Sequence, residues 1–262
     1  MEILVLVKQV PETAEADLEI AADGSDVERE DLVFTINEWD NYAVEEAVRL
    51  KEEHGGRVTV MTIGDEEAED VLRRGLAMGC DEAIHLNDEA FTGSDPAGLA
   101  RSLAAAIQGR AFDLILSGVQ SADQGQGQTG ALLAQLLDLP FASMAIGLKV
   151  ADGRLKVTRE LEANTQEEVE LPLPALVSVQ SGINQPRYVS IMGIRKVRSI
   201  AIDARDADGL GLAGQVGAAA AAAAARSLAL PEAGAGAELL TGSLEAICAK
   251  AAGIIREKGG LK

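Results

Sequence analysis

A glycine-rich loop ahead of an apolar helical run is the part of the chain whose residues most suggest ligand chemistry. The stretch "SGVQSADQGQGQTGALLAQ" (residues 117–135) sets Gly125, Gly127 and Gly130 in the pattern G-x-G-x-x-G, without Lys or Arg. Glycines let backbone N–H groups approach a ligand, and a helix beginning near Thr129 would direct its positive end there. The loop therefore predicts an anion site, with a solvated loop that binds nothing as the alternative.

Two common phosphate-binding motifs do not fit this loop. A dinucleotide fingerprint follows the first strand and has an acid about 20 residues further on, whereas these glycines follow the fourth predicted strand. A P-loop needs Gly-Lys-Ser/Thr, which the chain lacks. An adenylating enzyme would need basic residues around pyrophosphate, and Lys8 alone gives that interpretation little support.

The elements that must position the loop alternate regularly over the first 140 residues. Strands are predicted at residues 2–7, 57–63, 82–86 and 113–117, and helices after a cap at Asn37, at 66–78, from Asp95-Pro96, and from Thr129 to near Leu137. This alternation predicts an α/β fold with a doubly wound, mostly parallel sheet. A strand order of 3-2-1-4 would set residues 6–9 beside residues 118–129, at the point where such sheets bind ligands.

The pattern changes after residue 140. An antiparallel hairpin is predicted around Asp152-Gly153, followed by two extended runs broken by Pro172 and Pro174, all placed as an edge or flap on the parallel core. After Ile200 the chain is rich in Gly and Ala, with eight alanines at 218–225 whose helix propensity is high. We therefore expect a domain over residues 1–200 and a C-terminal arm over 201–262, which ends in a helix from Ser243.

Composition excludes several classes of function. A formal charge of −19 argues against nucleic acid or an anionic membrane as partner, and no apolar stretch is long enough to span a bilayer. The start "MEILVLVKQV" resembles neither a signal peptide nor a transit peptide, so a cytoplasmic location is expected. Two cysteines and two histidines predict neither a disulfide framework nor a metal site.

Several ordered motifs resemble the beta subunit of electron transfer flavoprotein. They are "VLVKQV", "AVEEAVRLKE", "GLAMGCDEAIHL", the loop with Asp123 and the run Gln128, Thr129, Gly130, then "KVTRELE" and "NQPRYVSIMGIRKVRS". The resemblance is good over residues 1–200 and looser beyond. It implies an adenine-nucleotide alpha-hydrolase-like fold and a heterodimer with an alpha subunit that holds most of a redox-active FAD. The beta subunit would bind one AMP without a redox role, and its arm would dock on alpha.

The resemblance also implies the residues of the site. Carried over position by position, the AMP contacts fall on Leu6, Asn37, Glu38, Trp39, Asp40, Ile63, Gly118, Val119, Gln120, Ser121, Ala122, Asp123, Gln124, Gly125, Gln126, Gly127, Gln128 and Thr129. Many members have Asn-Pro-Phe where this chain has Asn37, Glu38 and Trp39, so Trp39 takes an aromatic position near the flavin. Residues 124–127 replace a run of acids followed by Cys and Asn. Electron-bifurcating members bind a second FAD here, but Gln128-Thr129-Gly130 favours AMP.

A partner surface follows from the same resemblance. Ile191 aligns with the apolar anchor of a recognition loop that inserts into acyl-CoA-type dehydrogenases of fatty acid oxidation, and Pro186, Arg187 and Tyr188 belong to that surface. Glu160 aligns with an acid that meets an arginine near the flavin. The electrons would pass on to a membrane quinone oxidoreductase. The alternatives are that Ile191 packs on its own domain and that Glu160 is an ordinary surface acid. For the whole chain, the alternative is a stand-alone universal-stress-type nucleotide-binding module.

Overall fold

A computed structural model describes residues 1–14, 16–231, 234 and 236–260. The strands are β1 (Glu2–Leu6), β2 (Gln9–Pro11), β3 (Phe34–Ile36), β4 (Arg57–Ile63), β5 (Glu82–Leu86), β6 (Leu114–Gly118), β7 (Phe141–Ala151), β8 (Arg154–Glu160), β9 (Gln166–Pro172), β10 (Ala175–Val179) and β11 (Ile202–Arg205). The helices are α1 (Glu38–His54), α2 (Glu69–Met78), α3 (Pro96–Ala106), α4 (Thr129–Leu136), α5 (Ile191–Val197) and α6 (Leu244–Glu257).

One nine-stranded sheet organises the chain, in the order β11, β5, β4, β1, β6, β10, β7, β8, β9, while β2 and β3 form a separate antiparallel pair. Ile3, Leu4 and Val5 of β1 are all fully buried, because helices cover both faces of the sheet. Ile3 and Val5 pack with side chains of α1 and α2, and Leu4 packs with side chains of α3 and α4. The predicted α/β class is confirmed.

The predicted order 3-2-1-4 is also confirmed, since β5, β4, β1 and β6 are successive parallel neighbours. Element ends differ by small amounts. The first strand stops at Leu6, the fourth runs from Leu114 to Gly118, and the helix predicted at 66–78 begins as a 3₁₀ turn at Glu66–Ala68 before α2. Such shifts are usual at element ends.

The placement of all the later strands in an antiparallel flap is wrong for one of them. The hairpin of β7 and β8 turns at Asp152 and Gly153, both with positive φ, and β9 extends it. However, β10 enters the parallel core between β6 and β7. All five of its residues are buried, as the apolar run "ALVSV" requires of a central strand.

The chain beyond residue 200 also contributes to the core. The strand β11 pairs in parallel with β5, and Ala207, Leu212 and Val216 are buried. The alanine tract is not the helix that its propensity suggests. It makes a 3₁₀ turn at Ala218–Ala220, and the Ala222 N–H then donates to the Asp95 carboxylate at 2.8 Å.

The last helix, α6, begins at a Ser243 cap and has no buried residue. Its start at a serine cap was predicted from the sequence. Among the helices that the structure describes, none combines the length and apolar character needed to cross a membrane.

Candidate functional site

A crevice lies at the carboxyl ends of β1, β4 and β6, where the winding of the chain reverses. Its empty volume, including the open mouth, is about 850 Å³. The predicted site residues that line it are Leu6, Asn37, Asp40, Ile63, Gly118, Val119, Gln120, Ser121, Gln124, Gln126, Gly127, Gln128 and Thr129. Glu38, Trp39, Ala122, Asp123 and Gly125 lie close by in sequence but are not part of its wall.

Asp40 joins two of the three strands whose ends form the crevice. One carboxylate oxygen accepts from the N–H of Lys8 at 2.8 Å, just after β1, and the other accepts from the N–H of Gly118 at 2.9 Å, the last residue of β6. Burial raises the pKa of Asp40 to about 7, although the hydrogen bonds from Lys8, Asn37 and Gly118 act in the opposite direction. The first turn of α1 thus fixes the spacing of the crevice walls.

Asn37 does not cap α1 with its side chain, although it stands at the predicted cap position. Its amide Nδ2 donates to the carbonyl of Gln120 at 2.8 Å, and its Oδ1 accepts from the N–H of Ala122 at 3.1 Å. The side chain is 1% exposed. Because the loop after β6 offers it both a donor and an acceptor, Asn37 anchors the start of that loop instead.

Glycine is needed at different positions of the loop for different structural reasons. Gly125 and Gly127 both have φ of +61°, a conformation that favours glycine. A Cβ on Gly130 would lie 2.8 Å from Ser178 Oγ, so glycine lets the first turn of α4 rest on the ends of β6 and β10. No side chain caps α4, whose eight residues begin at Thr129. Thr129 and Gly130 line the crevice, and the backbone N–H groups of this first turn have no side-chain cap.

Lys8 is a crevice residue that the sequence did not identify as important. Its ammonium lies 2.6 Å from the Asp123 carboxylate, in an ion pair whose side chains are 34% and 23% exposed. Desolvation acts to raise the pKa of Asp123, but the hydrogen bonds and charge of Lys8, with Ser121, hold it below its usual value. The signal was the position of Lys8 directly after the first strand.

Trp39 lies beside the crevice and belongs to the edge of the site. Its indole Nε1 donates to the side chain of Gln180 at 2.6 Å, just beyond β10. Glu38 is exposed and accepts from the Tyr42 hydroxyl at 3.3 Å. No group of three or more His, Cys, Asp or Glu side chains suited to a metal ion occurs within the described residues.

A second surface lies on the segment that leads into α5 and on the first turn of that helix. Tyr188 is 90% exposed, Ile191 72% and Met192 59%, and we call these three residues the recognition surface. Exposed apolar side chains grouped in this way are typical of a protein contact. Ile191 is thus not packed into its own domain.

Arg187 is used within the chain. Its guanidinium bonds both carboxylate oxygens of the buried Glu45, at 2.8 and 3.1 Å, and also contacts Glu52. Hydrogen bonds to Glu52 and Glu45 raise the pKa of Arg187. Pro186 beside it is half-buried. Arg187 therefore fastens the segment before the recognition surface to α1.

Glu160 is exposed at the end of β8, and no ion pair joins it to another residue that the structure describes. Its backbone is paired with Gln166 of β9. The side chain is therefore available to a group outside the chain.

The open, doubly wound sheet, with a crevice where its winding reverses, makes this chain a ligand-binding α/β protein.

The family model "Electron transfer flavoprotein domain" matches residues 26–210. The chain is 37% identical to the electron transfer flavoprotein subunit beta of Methylophilus methylotrophus, over 99% of this chain and all of that protein. It is 36% identical to the same subunit of Bacillus subtilis, over 81% of each chain. The caffeyl-CoA reductase-Etf complex subunit CarD of Acetobacterium woodii is 35% identical over 93% of each chain.

The chain therefore belongs to the electron transfer flavoprotein family, as a beta subunit. Members of this family carry electrons on a flavin and are not enzymes in the classical sense. This assignment favours an electron carrier over the stand-alone nucleotide-binding module.

Proposed function

We propose that the chain is the beta subunit of a cytoplasmic heterodimer, binding AMP in the crevice and docking dehydrogenases for a FAD held mainly by the alpha subunit. The observation that carries the proposal is the crevice itself, where Gly127 and the uncapped start of α4 present backbone N–H groups beside two strand ends. Such a site suits a phosphate without needing a basic cluster.

The residues of the crevice fit an adenine mononucleotide. Leu6 and Ile63 line it with apolar surface at the ends of β1 and β4, which suits a flat base. The opposite wall consists of the loop after β6 and the start of α4, which suits the phosphate. Thr129 and the glutamines add neutral hydrogen-bond donors. AMP held in this way stiffens the carboxyl edge of the sheet and changes no oxidation state.

The FAD supplies the one-electron chemistry when it is bound in the complete heterodimer. The contribution of this chain is to bind, orient and present. Trp39, with its ring held by Gln180, takes the aromatic position that the family places near the flavin. Of the arm predicted over residues 201–262, the part beyond the buried Val216 would dock on alpha, which is supported by Leu244, Ile254 and Ile255 of α6 being exposed.

The recognition surface would receive acyl-CoA-type dehydrogenases, with Ile191 as the central apolar contact. Glu160 would pair with an arginine near the flavin and hold the flavin domain in a resting position until a partner arrives. Its exposure at the end of β8 supports that role. A membrane quinone oxidoreductase would take the electrons.

Coexpression with an alpha subunit tests the proposal. We expect a yellow heterodimer with a flavin spectrum, which an acyl-CoA dehydrogenase reduces in the presence of its substrate. A colourless product, or a stable homodimer that does not bind alpha, would contradict it.

A second candidate is an electron-bifurcating flavoprotein with a second FAD in the crevice. One observation favours it: no atom lies within 4 Å of where a Cβ on the exposed Gly125 would stand, between the lining residues Gln124 and Gln126, so a larger ligand has room to extend beyond the mouth of the crevice. Two FAD molecules per heterodimer would support this candidate, and one FAD would support the first.

A further inference from the structure

An acid lies beside the crevice in which an anion should bind. The Asp123 carboxylate belongs to the loop that would hold the AMP phosphate, between the lining residues Ser121 and Gln124, and it contacts the lining residue Lys8. A carboxylate close to a phosphate disfavours binding through like-charge repulsion. Asp40, the other acid here, turns its two oxygens toward the backbone N–H groups of Lys8 and Gly118. Asp123 therefore needs a counterion of its own.

Lys8 is that counterion by position. Its ammonium contacts both oxygens of Asp123, at 2.8 and 2.6 Å, and reaches Gln124 Oε1 at 3.3 Å and Ser121 Oγ at 3.4 Å. These four acceptor atoms belong to three residues of the loop after β6, more than 110 residues away in sequence. An ammonium has only three protons, so this set of acceptors accounts for its donors.

We propose that Lys8 is a positioning residue that neutralises Asp123 and fixes the loop after β6, and that it does not itself bind the phosphate. The inference rests on the proposed AMP site. It explains why a loop without Lys or Arg can hold an anion while carrying an acid. The pair contributes no net charge, and the backbone N–H groups provide the recognition.

A double-mutant cycle on the heterodimer separates this role from direct phosphate binding. Lys8→Met leaves Asp123 uncompensated, so the Kd for AMP should rise roughly tenfold or more. Asp123→Asn removes the acid and should bind AMP at least as tightly as the wild type. The double variant should return to within about threefold of the wild-type Kd. AMP affinity is measured by calorimetry on nucleotide-depleted complex, with the melting temperature shift on adding AMP as a second measurement.

The matched control is Lys51→Met. Lys51 pairs with Asp81 at 3.0 Å, with side chains 20% and 33% exposed. This pair lies near the amino ends of β4 and β5, whereas the crevice lies at the carboxyl ends of the strands. Its loss removes a comparable ion pair and should leave the Kd for AMP unchanged. If Lys51→Met weakens AMP binding as much as Lys8→Met, a general loss of stability explains both, and the inference is overturned.

The outcomes also distinguish the inference from the proposed function. A double variant as weak as Lys8→Met would mean that Lys8 contacts the phosphate directly, and this overturns the inference alone. An Asp123→Asn variant weakened tenfold would make Asp123 itself a ligand, with the same consequence. A wild-type complex that binds no AMP would contradict the proposed function and the inference together.

Discussion

Replacing Gly118 by Ala should separate the two walls of the crevice. A Cβ at this position would lie 2.7 Å from Trp39 Cβ and 2.9 Å from the backbone nitrogen of Asp40, with the Asp40 carboxylate nearer still. Backbone at the start of α1 cannot yield as a flexible side chain would. Overpacking of this kind costs about 1–3 kcal/mol, and losing the Gly118–Asp40 hydrogen bond adds about 1–3 kcal/mol, so we expect a loss of about 2–6 kcal/mol.

Urea denaturation of the heterodimer, followed by circular dichroism, measures this loss. Gly125→Ala is the matched control in the same loop. Its φ is +61° with no atom near the added Cβ, so only the cost of a left-handed alanine applies, about 1 kcal/mol. Gly118→Ala should also lower the AMP content of the purified complex. Equal stabilities of the two variants, to within about 0.5 kcal/mol, would refute the account of how α1 meets β6.

Four further predictions concern named side chains. Because the native state raises the Asp40 pKa from 3.8 to about 7, its stabilising contribution is complete below pH 4 and is lost as pH rises through 7. Between pH 5 and pH 8 the wild type should therefore lose about 2–3 kcal/mol of its free energy of unfolding, whereas Asp40→Asn should not. Free energies of unfolding in urea that change equally with pH in the two proteins would contradict this. Arg187→Met leaves the buried Glu45 without its cation and should lower the free energy of unfolding by about 3–5 kcal/mol. Arg154→Met, at an exposed ion pair, should lower it by less than about 1 kcal/mol, and equal losses would count against Arg187 fastening its segment to α1. Ile191→Ala should keep flavin and AMP but slow electron transfer from the dehydrogenase about tenfold or more, and a normal rate would refute the recognition surface. Glu160→Ala should change the rate of flavin exchange with partners, and stopped-flow traces identical to wild type would remove the resting-position role.

The parallel core could be predicted because its signals are local. Strands such as β1 and β4 are apolar runs between turn residues, and α2 is followed by a capping glycine, Gly79. Hydrophobic periodicity and the residues that end elements were therefore sufficient to predict these strands and helices. The helices between successive strands then required parallel pairing, which left few arrangements for the first four predicted strands. The position of the crevice followed from that order alone.

Contacts between distant segments could not be predicted in the same way. β10 reads as one more extended run after two prolines, and nothing local says that it inserts beside β6. The alanine tract has high helix propensity, but the Asp95 carboxylate, 127 residues before Ala222, accepts a hydrogen bond from its backbone, and the tract is not helical beyond Ala220. Tertiary context overrides propensity in this segment.

The site shows the same division. Gly125 and Gly127 were identified from their type and spacing, and their positive φ gives the physical reason. Asn37 was found at the right position with the wrong role, because its partners on Gln120 and Ala122 are more than 80 residues away. Lys8 looked like an isolated cation for the same reason, since its partner Asp123 is distant in sequence.

We propose that backbone N–H groups in the crevice hold a mononucleotide that takes no part in electron transfer. The decisive measurement is mass spectrometry of the small molecules released by acid from the purified heterodimer. We expect one AMP and one FAD per complex, with the AMP unchanged after full reduction and reoxidation of the flavin. An extract with FAD and no adenine mononucleotide would contradict it.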